Sequence, residues 1–144
     1  MTMEPTTTTK FQTSSNAIIW IVDDDAVSRF LTRKILEIRT NQPLDIIEFA
    51  SGKEAIKAVD KLRSLPPDVI FLDIDMPNVS GWDFLDYLQD SGKLKTTRIA
   101  MLASSGNRAD SNRALSYERV NLYFQKPLKI EHIKDLMLLE KTAS

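Results

Sequence analysis

Carboxylates gather at the ends of two apolar runs in this 144-residue sequence, and a lysine follows a third run. In chain order these groups are Asp23, Asp24, Asp25, Asp73, Asp75 and Lys126. Crowded carboxylates repel one another unless a cation lies between them. Mg²⁺ is such a cation, since it binds one or two carboxylates together with water and phosphate oxygens. A divalent metal beside a lysine predicts phosphoryl transfer.

The rest of the chain alternates apolar runs with helical patterns, and the reactive groups stand where strands end. The predicted strands cover 17–22, 44–50, 68–72, 98–103 and 121–125. A helix is predicted after each strand, at 26–38, 52–62, around 84–88, 107–117 and 130–140. This alternation predicts an α/β fold with a doubly wound five-stranded parallel sheet, flavodoxin-like (βα)5 with strand order 2-1-3-4-5. In such a sheet, ligands bind outside the carboxyl ends of the strands, between the first and the third.

Local patterns predict how the first two helices begin and which side they bury. Asp25 is the expected N-cap of the first helix and is left out of the metal site. Ser51 is the expected N-cap of the second helix, and Glu54 completes a capping box. In the first helix, apolar residues at spacings of three and four predict the buried face. They are Val27, Phe30, Leu31, Ile35 and Ile38.

Three motifs together resemble one family. IVDDD after the first strand, FLDIDMPNVSG around the end of the third, and YFQKP at the end of the fifth resemble the signatures of two-component response-regulator receiver domains, the CheY-like superfamily. Each motif alone is short, but all three occur in order on a fivefold βα pattern. The resemblance covers residues 17–140, which leaves 1–16 as a predicted flexible tail and 141–144 as a C-terminal tail.

The resemblance implies a role for each reactive residue. Asp73 is the implied phospho-acceptor that becomes 4-aspartylphosphate, and Lys126 would pair with the phosphoryl oxygens. Asp24 is the implied direct ligand of Mg²⁺, and Asp23 a ligand through water. The backbone carbonyl of Asp75 is a further implied metal contact. Because X-Pro bonds account for most cis peptides, the bond after the lysine is a candidate cis bond.

The implied switch residues match the family less well. Receiver domains place a Ser or Thr at the end of the fourth strand and an aromatic on the fifth, and Tyr123 matches the aromatic position. The hydroxyl position falls on Ala103 or Ser104, and MLASS favours Ala103. In that case Ser104 or Ser105 must substitute, or coupling is weak. Asp75 and Ser105 are candidates for setting the lifetime of the phosphorylated state.

The implied function is a single-domain response regulator that is not an enzyme. A sensor histidine kinase or a histidine phosphotransfer protein would supply the phosphoryl group, with Mg²⁺ as the cofactor. The signal would reach a downstream protein partner through the fourth helix, fifth strand and fifth helix. Met76, Asn78 and Val79 would border the kinase-docking surface. The protein would be a monomer or a phosphorylation-dependent dimer.

Two other interpretations stay open. FLDIDM also resembles the Asp-x-Asp motif of haloacid-dehalogenase-like phosphatases, in which Asp73 would be the nucleophile and Asp75 the general acid. That motif normally lies on the first strand of a longer chain, whereas here it lies on the third. Alternatively, the chain is a receiver-like interaction module that is not phosphorylated, an interpretation that Ala103 favours.

Composition excludes several classes of function. The chain has 19 Lys and Arg against 20 Asp and Glu, a net charge of -1, so no general attraction to nucleic acid is expected. No cysteine is present, which excludes disulfides and thiolate metal sites. No apolar run reaches the roughly 18 residues of a membrane span, and a cytoplasmic location is expected. The length is that of one domain, and the one histidine, His132, is expected on a helix surface.

Overall fold

The computed structural model describes residues 16–40, 42–104 and 106–134, which form alternating strands and helices. The elements are β1 (Ala17–Val22), α1 (Ala26–Arg39), β2 (Leu44–Phe49), α2 (Gly52–Asp60), β3 (Val69–Asp73), α3 (Gly81–Ser91), β4 (Arg98–Ala103), α4 (Arg108–Ser116) and β5 (Val120–Gln125). Residues 130–134 are helical as well. The far end of the helix predicted at 130–140, like both predicted tails except residue 16, lies outside the described residues.

The five strands form one parallel sheet in the order β2-β1-β3-β4-β5, which confirms the predicted fold. β1 lies beside β3, with Val22 opposite Leu72. The next residue of each strand is an aspartate, so Asp23 and Asp73 emerge side by side at the carboxyl edge. β4 and β5 continue the sheet, with Ala103 opposite Gln125. The lysine that follows β5 therefore emerges at the same edge.

The core consists of two apolar layers, one on each face of the sheet. β3 is buried at every position, which explains why its sequence is an unbroken apolar run. Ile70 and Leu72 pack into the layer on one face, whereas Val69 and Phe71 pack into the opposite layer. Alternation along a strand places neighbouring side chains on opposite faces. The strand that carries Asp73 is thus fixed by packing on both sides.

The buried face predicted for α1 is wrong at four of its five positions: Ile35 packs against the core, and the other four apolar residues form an exposed stripe. The exposed fractions are 65% for Val27, 55% for Phe30, 45% for Leu31 and 65% for Ile38. Thr32 and Leu36 face the core instead. Polar contacts favour this orientation: Arg29 and Arg33 both pair with Glu48 on β2, at 3.2 and 2.6 Å. Those contacts turn the arginine side of α1 toward β2 and leave the stripe in solvent.

The predicted N-caps are confirmed, whereas the predicted capping box is wrong. Asp25 accepts a hydrogen bond from the Val27 N–H and caps α1. Ser51 Oγ accepts from the Glu54 N–H at 3.1 Å, but no reciprocal bond from Glu54 is formed among the described residues. The complete capping box lies at the start of α3, where the Ser80 and Asp83 side chains bind each other's N–H groups. α3 therefore begins at a fixed point.

The turn from β3 into α3 is tight and depends on a glycine. The Gly81 N–H donates to the Ile74 carbonyl at 3.0 Å. A Cβ at Gly81 would lie 2.5 Å from the Asp73 carbonyl oxygen, closer than a side chain allows. In the same turn Met76 is buried, whereas Asn78 is exposed. The expectation that Met76 borders a docking surface is therefore wrong, because the turn directs this side chain into the core.

Candidate functional site

Three strand ends meet at one cluster of charges. Carboxylate oxygens of Asp23, Asp24 and Asp73 lie within 4.8 Å of one another. Lys126 Nζ lies 2.9 Å from Asp23 Oδ2 and 3.1 Å from Asp73 Oδ1. Asp23 and Asp73 are buried, while Asp24 is exposed. The sequence thus predicted the members of this cluster, because the carboxyl ends of parallel strands share one edge of the sheet.

Burial and crowding perturb the ionisation of the central groups. Burial, together with the charge of Asp23, raises the pKa of Asp73 to about 7 against the opposing effect of Lys126. Burial alone would lower the pKa of Lys126, but the hydrogen bond and charge of Asp23, together with Asp73, raise it. Lys126 therefore stays an ammonium, and the second buried carboxylate is costly to ionise beside the first.

The start of α1 holds Asp23 in place through groups that sequence reasoning missed. The Asp25 N–H donates to Asp23 Oδ1 at 2.9 Å, and the Ser28 hydroxyl donates to Oδ2 at 2.5 Å. Arg29 Nη1 donates to the Asp23 carbonyl at 2.6 Å. The only sequence signal for these contacts is a serine and an arginine one turn into a helix that follows an aspartate. Such a pair is too common to predict a contact.

The two buried aspartates differ in how their oxygens are satisfied. Among the described residues, Asp73 Oδ1 is inaccessible and has no hydrogen-bond partner. Its contact with Lys126 is an ion pair at 3.1 Å. Asp23, in contrast, accepts a hydrogen bond on each oxygen. Asp23 is therefore the more firmly held of the two buried carboxylates.

The donor set fits a hard divalent cation. All the clustered ligand atoms are carboxylate oxygens, which Mg²⁺ prefers. Three carboxylates face a single lysine, so a further positive charge would relieve their repulsion. Asp24 is open to solvent, as a ligand that admits the ion must be. The expected contact between the Asp75 backbone carbonyl and the metal stays a prediction.

The strand ends also show what happens at the implied switch positions. Ala103 is buried at the end of β4 and carries no hydroxyl, while its carbonyl accepts the Lys126 N–H at 2.7 Å. Ser104 is exposed, and its hydroxyl donates to Asp75 Oδ2 at 3.0 Å rather than to Asp73. The Tyr123 hydroxyl is inaccessible and lacks a hydrogen-bond partner among the described residues. Ser105 lies outside those residues.

Two smaller expectations are resolved nearby. The peptide bond between Lys126 and Pro127 is cis, as predicted. His132 is partly buried rather than on the helix surface: its ring stacks on Phe124 at 4.3 Å, and its Nδ1 accepts the Lys129 N–H.

Within the described part of the chain, none of the helices has the length and apolar character of a membrane span.

Known proteins with similar sequences share this region. Residues 19–138 match the family described as the response regulator receiver domain. The protein-glutamate methylesterase/protein-glutamine glutaminase 2 of Shewanella sp. (strain MR-7) is 34% identical over 131 residues, 88% of this chain and 35% of that protein. The protein-glutamate methylesterase/protein-glutamine glutaminase of Thermotoga maritima is 36% identical over 87 residues, which are 60% of this chain and 23% of that protein. The chain thus spans about a third or less of these relatives.

Solved structures agree with the fold and extend over nearly the whole of each protein. A two component response regulator from Cytophaga hutchinsonii has a TM-score of 0.80 at 25% identity, over 88% of this chain and 97% of that one. The Vibrio cholerae chemotaxis protein CheY4 has a TM-score of 0.70 at 22% identity, over 87% and 98%, a likeness of fold alone. With the sheet order, the acidic cluster and the match over residues 19–138 in agreement, the chain belongs to the response regulator receiver domain family.

Proposed function

We propose that Asp73 accepts a phosphoryl group from a phosphohistidine on a sensor histidine kinase or a histidine phosphotransfer protein, in a Mg²⁺-dependent reaction. One observation carries this proposal: the Asp73 carboxylate lies in the charge cluster, with Oδ1 3.1 Å from the Lys126 ammonium and a carboxylate oxygen within 4.8 Å of those of Asp23 and Asp24. A carboxylate at this position can act as a nucleophile toward phosphorus, and the lysine offsets the charge that opposes attack.

The proposed step transfers one phosphoryl group between two side chains. An Asp73 carboxylate oxygen forms a bond to phosphorus while the bond between phosphorus and the donor imidazole nitrogen breaks. The imidazole leaves as a neutral ring because its other nitrogen already carries a proton, and an acyl phosphate remains on Asp73. Lys126 lies close enough to move its ion pair to the new phosphoryl oxygens. Position and charge, rather than a general base, thus account for the reaction.

Asp23, Asp24 and Asp73 would hold the magnesium ion, with the Asp75 carbonyl as the further proposed contact. When bound, the ion supplies positive charge for the phosphoryl oxygens. Positive charge beside Asp73 also favours its ionised form, which the nucleophile requires and which burial opposes. Asp23 and Asp73 are fixed by their strands, so the site is largely formed before an ion binds.

We propose that the phosphodonor docks on the exposed apolar stripe of α1. The stripe consists of Val27, Phe30, Leu31 and Ile38. The stripe begins at Val27, two residues after Asp25 and close in the chain to the charge cluster around Asp73. A protein bound to the stripe would therefore lie beside this cluster. Asn78, which is exposed in the turn after β3, and Val79 would border the same docking surface. Apolar patches of this kind are typical of protein interfaces.

Signalling would pass to a downstream protein by contact with α4, β5 and the helix that begins at residue 130. Because Ala103 carries no hydroxyl, Ser104 would have to leave Asp75 to reach a phosphoryl group, and we expect weak coupling between phosphorylation and this face. Several other expectations remain predictions. They are the single-domain organisation, the absence of enzymatic activity and of nucleic-acid or membrane partners, the monomer or phosphorylation-dependent dimer, and the cytoplasmic location.

The second candidate is a receiver-like interaction module that is not phosphorylated, which the missing hydroxyl at Ala103 favours. The phosphatase interpretation has less support, because the Asp75 carboxylate that would act as the general acid is bound to Ser104. The methylesterase names of the curated relatives belong to proteins of which this chain matches a third or less.

Intact mass spectrometry distinguishes these candidates. The protein is incubated with acetyl phosphate and Mg²⁺, beside an Asp73→Asn variant and a sample with EDTA. We expect the mass of one added phosphoryl group in the wild type with Mg²⁺ and in neither control. An unmodified wild type would support the interaction module and refute the proposal. Repeated turnover of para-nitrophenyl phosphate would instead indicate the phosphatase.

A further inference from the structure

The buried Asp23 carboxylate has two donors from the beginning of α1 in addition to its ion pair. Its Oδ1 accepts the Asp25 N–H, and its Oδ2 accepts the Ser28 hydroxyl at 2.5 Å. Lys126 Nζ lies 2.9 Å from the same Oδ2. The side chain is fully buried, so water cannot replace a donor that is lost. A buried carboxylate without a donor is strongly destabilising.

Lys126 is shared between two carboxylates that are held differently. It contacts Asp23 Oδ2 and Asp73 Oδ1, and only the former also has a hydrogen bond among the described residues. If the ammonium moves toward a phosphoryl group on Asp73, Asp23 loses charge compensation but keeps a donor on each oxygen. Of the groups in the described part of the chain, Lys126 alone would remain at Oδ2 without Ser28, and its departure would leave this oxygen without a protein donor.

We propose that Ser28 is a positioning residue of the acceptor site: its hydroxyl holds the Asp23 carboxylate so that Lys126 can transfer its ion pair to the phosphoryl group on Asp73. This inference rests on the proposed function. Ser28 is the third residue of α1, and side chains of a helix lean toward its N-terminus, so its hydroxyl reaches back over the first turn to Asp23. A methyl group at this position cannot donate, whereas threonine can.

The first test measures a phosphoryl stand-in. Binding of beryllofluoride in the presence of Mg²⁺, and of Mg²⁺ alone, is titrated in the wild type, Ser28→Ala, Ser28→Thr and Ser91→Ala. Ser91 is a matched control, because it is a helical serine whose hydroxyl bonds a backbone carbonyl in α3. We expect Ser28→Ala to bind beryllofluoride about tenfold more weakly, the loss of one hydrogen bond to a charged group. Its Mg²⁺ affinity should change less than about threefold, because Lys126 still compensates Asp23 in that state.

The conservative and control variants identify the hydroxyl as the cause. Ser28→Thr should bind beryllofluoride within about threefold of the wild type, and Ser91→Ala should not differ from it. Equal beryllofluoride affinity in Ser28→Ala and the wild type would overturn the inference. So would a parallel loss of Mg²⁺ and beryllofluoride binding in Ser28→Ala, because that pattern indicates a general distortion of the site.

The second test needs no metal. A double-mutant cycle compares urea unfolding of the wild type, Ser28→Ala, Lys126→Met and the double variant in EDTA. Methionine removes the ammonium but keeps an apolar stem, and so imitates departure of the lysine. We expect Ser28→Ala to raise the unfolding equilibrium constant about tenfold more in the Lys126→Met background than in the wild type. Additive effects would contradict the proposed sharing of Asp23, and the beryllofluoride titration decides the matter if the double variant does not fold.

The two proposals fail in different ways. If the wild type binds no beryllofluoride with Mg²⁺ and takes no phosphoryl group, the proposed function is wrong whatever Ser28 does. If the wild type binds and Ser28→Ala binds equally well, only the role of Ser28 is wrong.

Discussion

Replacing Asp73 by asparagine should stabilise the metal-free protein above the raised pKa of this aspartate. Burial and the charge of Asp23 raise that pKa from 3.8 to about 7. At about 1.4 kcal/mol per pKa unit, this change corresponds to at most about 4 kcal/mol of folding free energy lost on ionisation. Asparagine has nearly the same shape and no charge, so it removes this loss. Because Asp23 and Asp73 share one lysine, their ionisations are coupled, and only part of this upper limit belongs to Asp73 alone. We therefore expect Asp73→Asn to raise the free energy of unfolding by about 2 kcal/mol or more.

The sign of the pH dependence follows from proton binding. Between about pH 4 and pH 7 the folded wild type binds the Asp73 proton more tightly than the unfolded chain, so its stability falls as the pH rises. The difference between Asp73→Asn and the wild type should therefore be near zero below about pH 4, increase up to about pH 7, and then level off.

Urea unfolding in EDTA measures this difference through the fluorescence of the buried Trp20 and Trp82. Titratable groups remote from Asp73 cancel in the comparison, whereas Asp23 and Lys126 are coupled to it. Saturating Mg²⁺ should stabilise the wild type more than Asp73→Asn and so reduce the difference between their free energies of unfolding. An Asp73→Asn variant that is no more stable than the wild type at about pH 8 would refute the account of a crowded, undercompensated acidic cluster.

Three further substitutions test other parts of the site. Lys126→Ala should lower the free energy of unfolding by about 3 kcal/mol, since it leaves two buried carboxylates without their cation; urea unfolding measures this, and a loss near zero would contradict the pairing. Gly81→Ala should lower the free energy of unfolding by about 2 kcal/mol and slow phosphorylation by acetyl phosphate, because its Cβ meets the Asp73 carbonyl oxygen. Gly106→Ala is the control, and equal effects of the two substitutions would argue against this steric role. Phe30→Glu should slow transfer from a phosphorylated histidine phosphotransfer domain by about tenfold or more without changing the acetyl phosphate reaction, and an equal slowing of both would contradict docking on α1.

The sheet and the acidic cluster were predictable because they depend on short-range patterns. An unbroken apolar run such as β3 indicates a strand buried on both faces, and the alternation with helices fixes a parallel sheet. Parallel strands share their carboxyl edge, so the positions of Asp73 and Lys126 in the sequence were enough to bring them together. Only the family resemblance, not the spacing, assigned their separate roles.

The orientation of α1 could not be predicted in the same way. Periodicity located an apolar stripe but not which way it faces, and the pairing of Arg29 and Arg33 with Glu48 joins residues 19 and 15 positions apart. The Ser28 contact has the same origin, since it exists only once α1 is oriented. Met76 was misplaced because the direction of a side chain in a tight turn depends on backbone angles that the sequence pattern does not reveal.

Whether Asp73 is the phospho-acceptor is tested by locating the phosphoryl group on the chain. The protein is treated with acetyl phosphate and Mg²⁺, the acyl phosphate is reduced with borohydride, and peptides are sequenced by mass spectrometry. We expect reduction of a single aspartate, Asp73, and only in the sample with Mg²⁺. Reduction at Asp23 or Asp24 instead, or no reduced aspartate at all, would contradict this expectation.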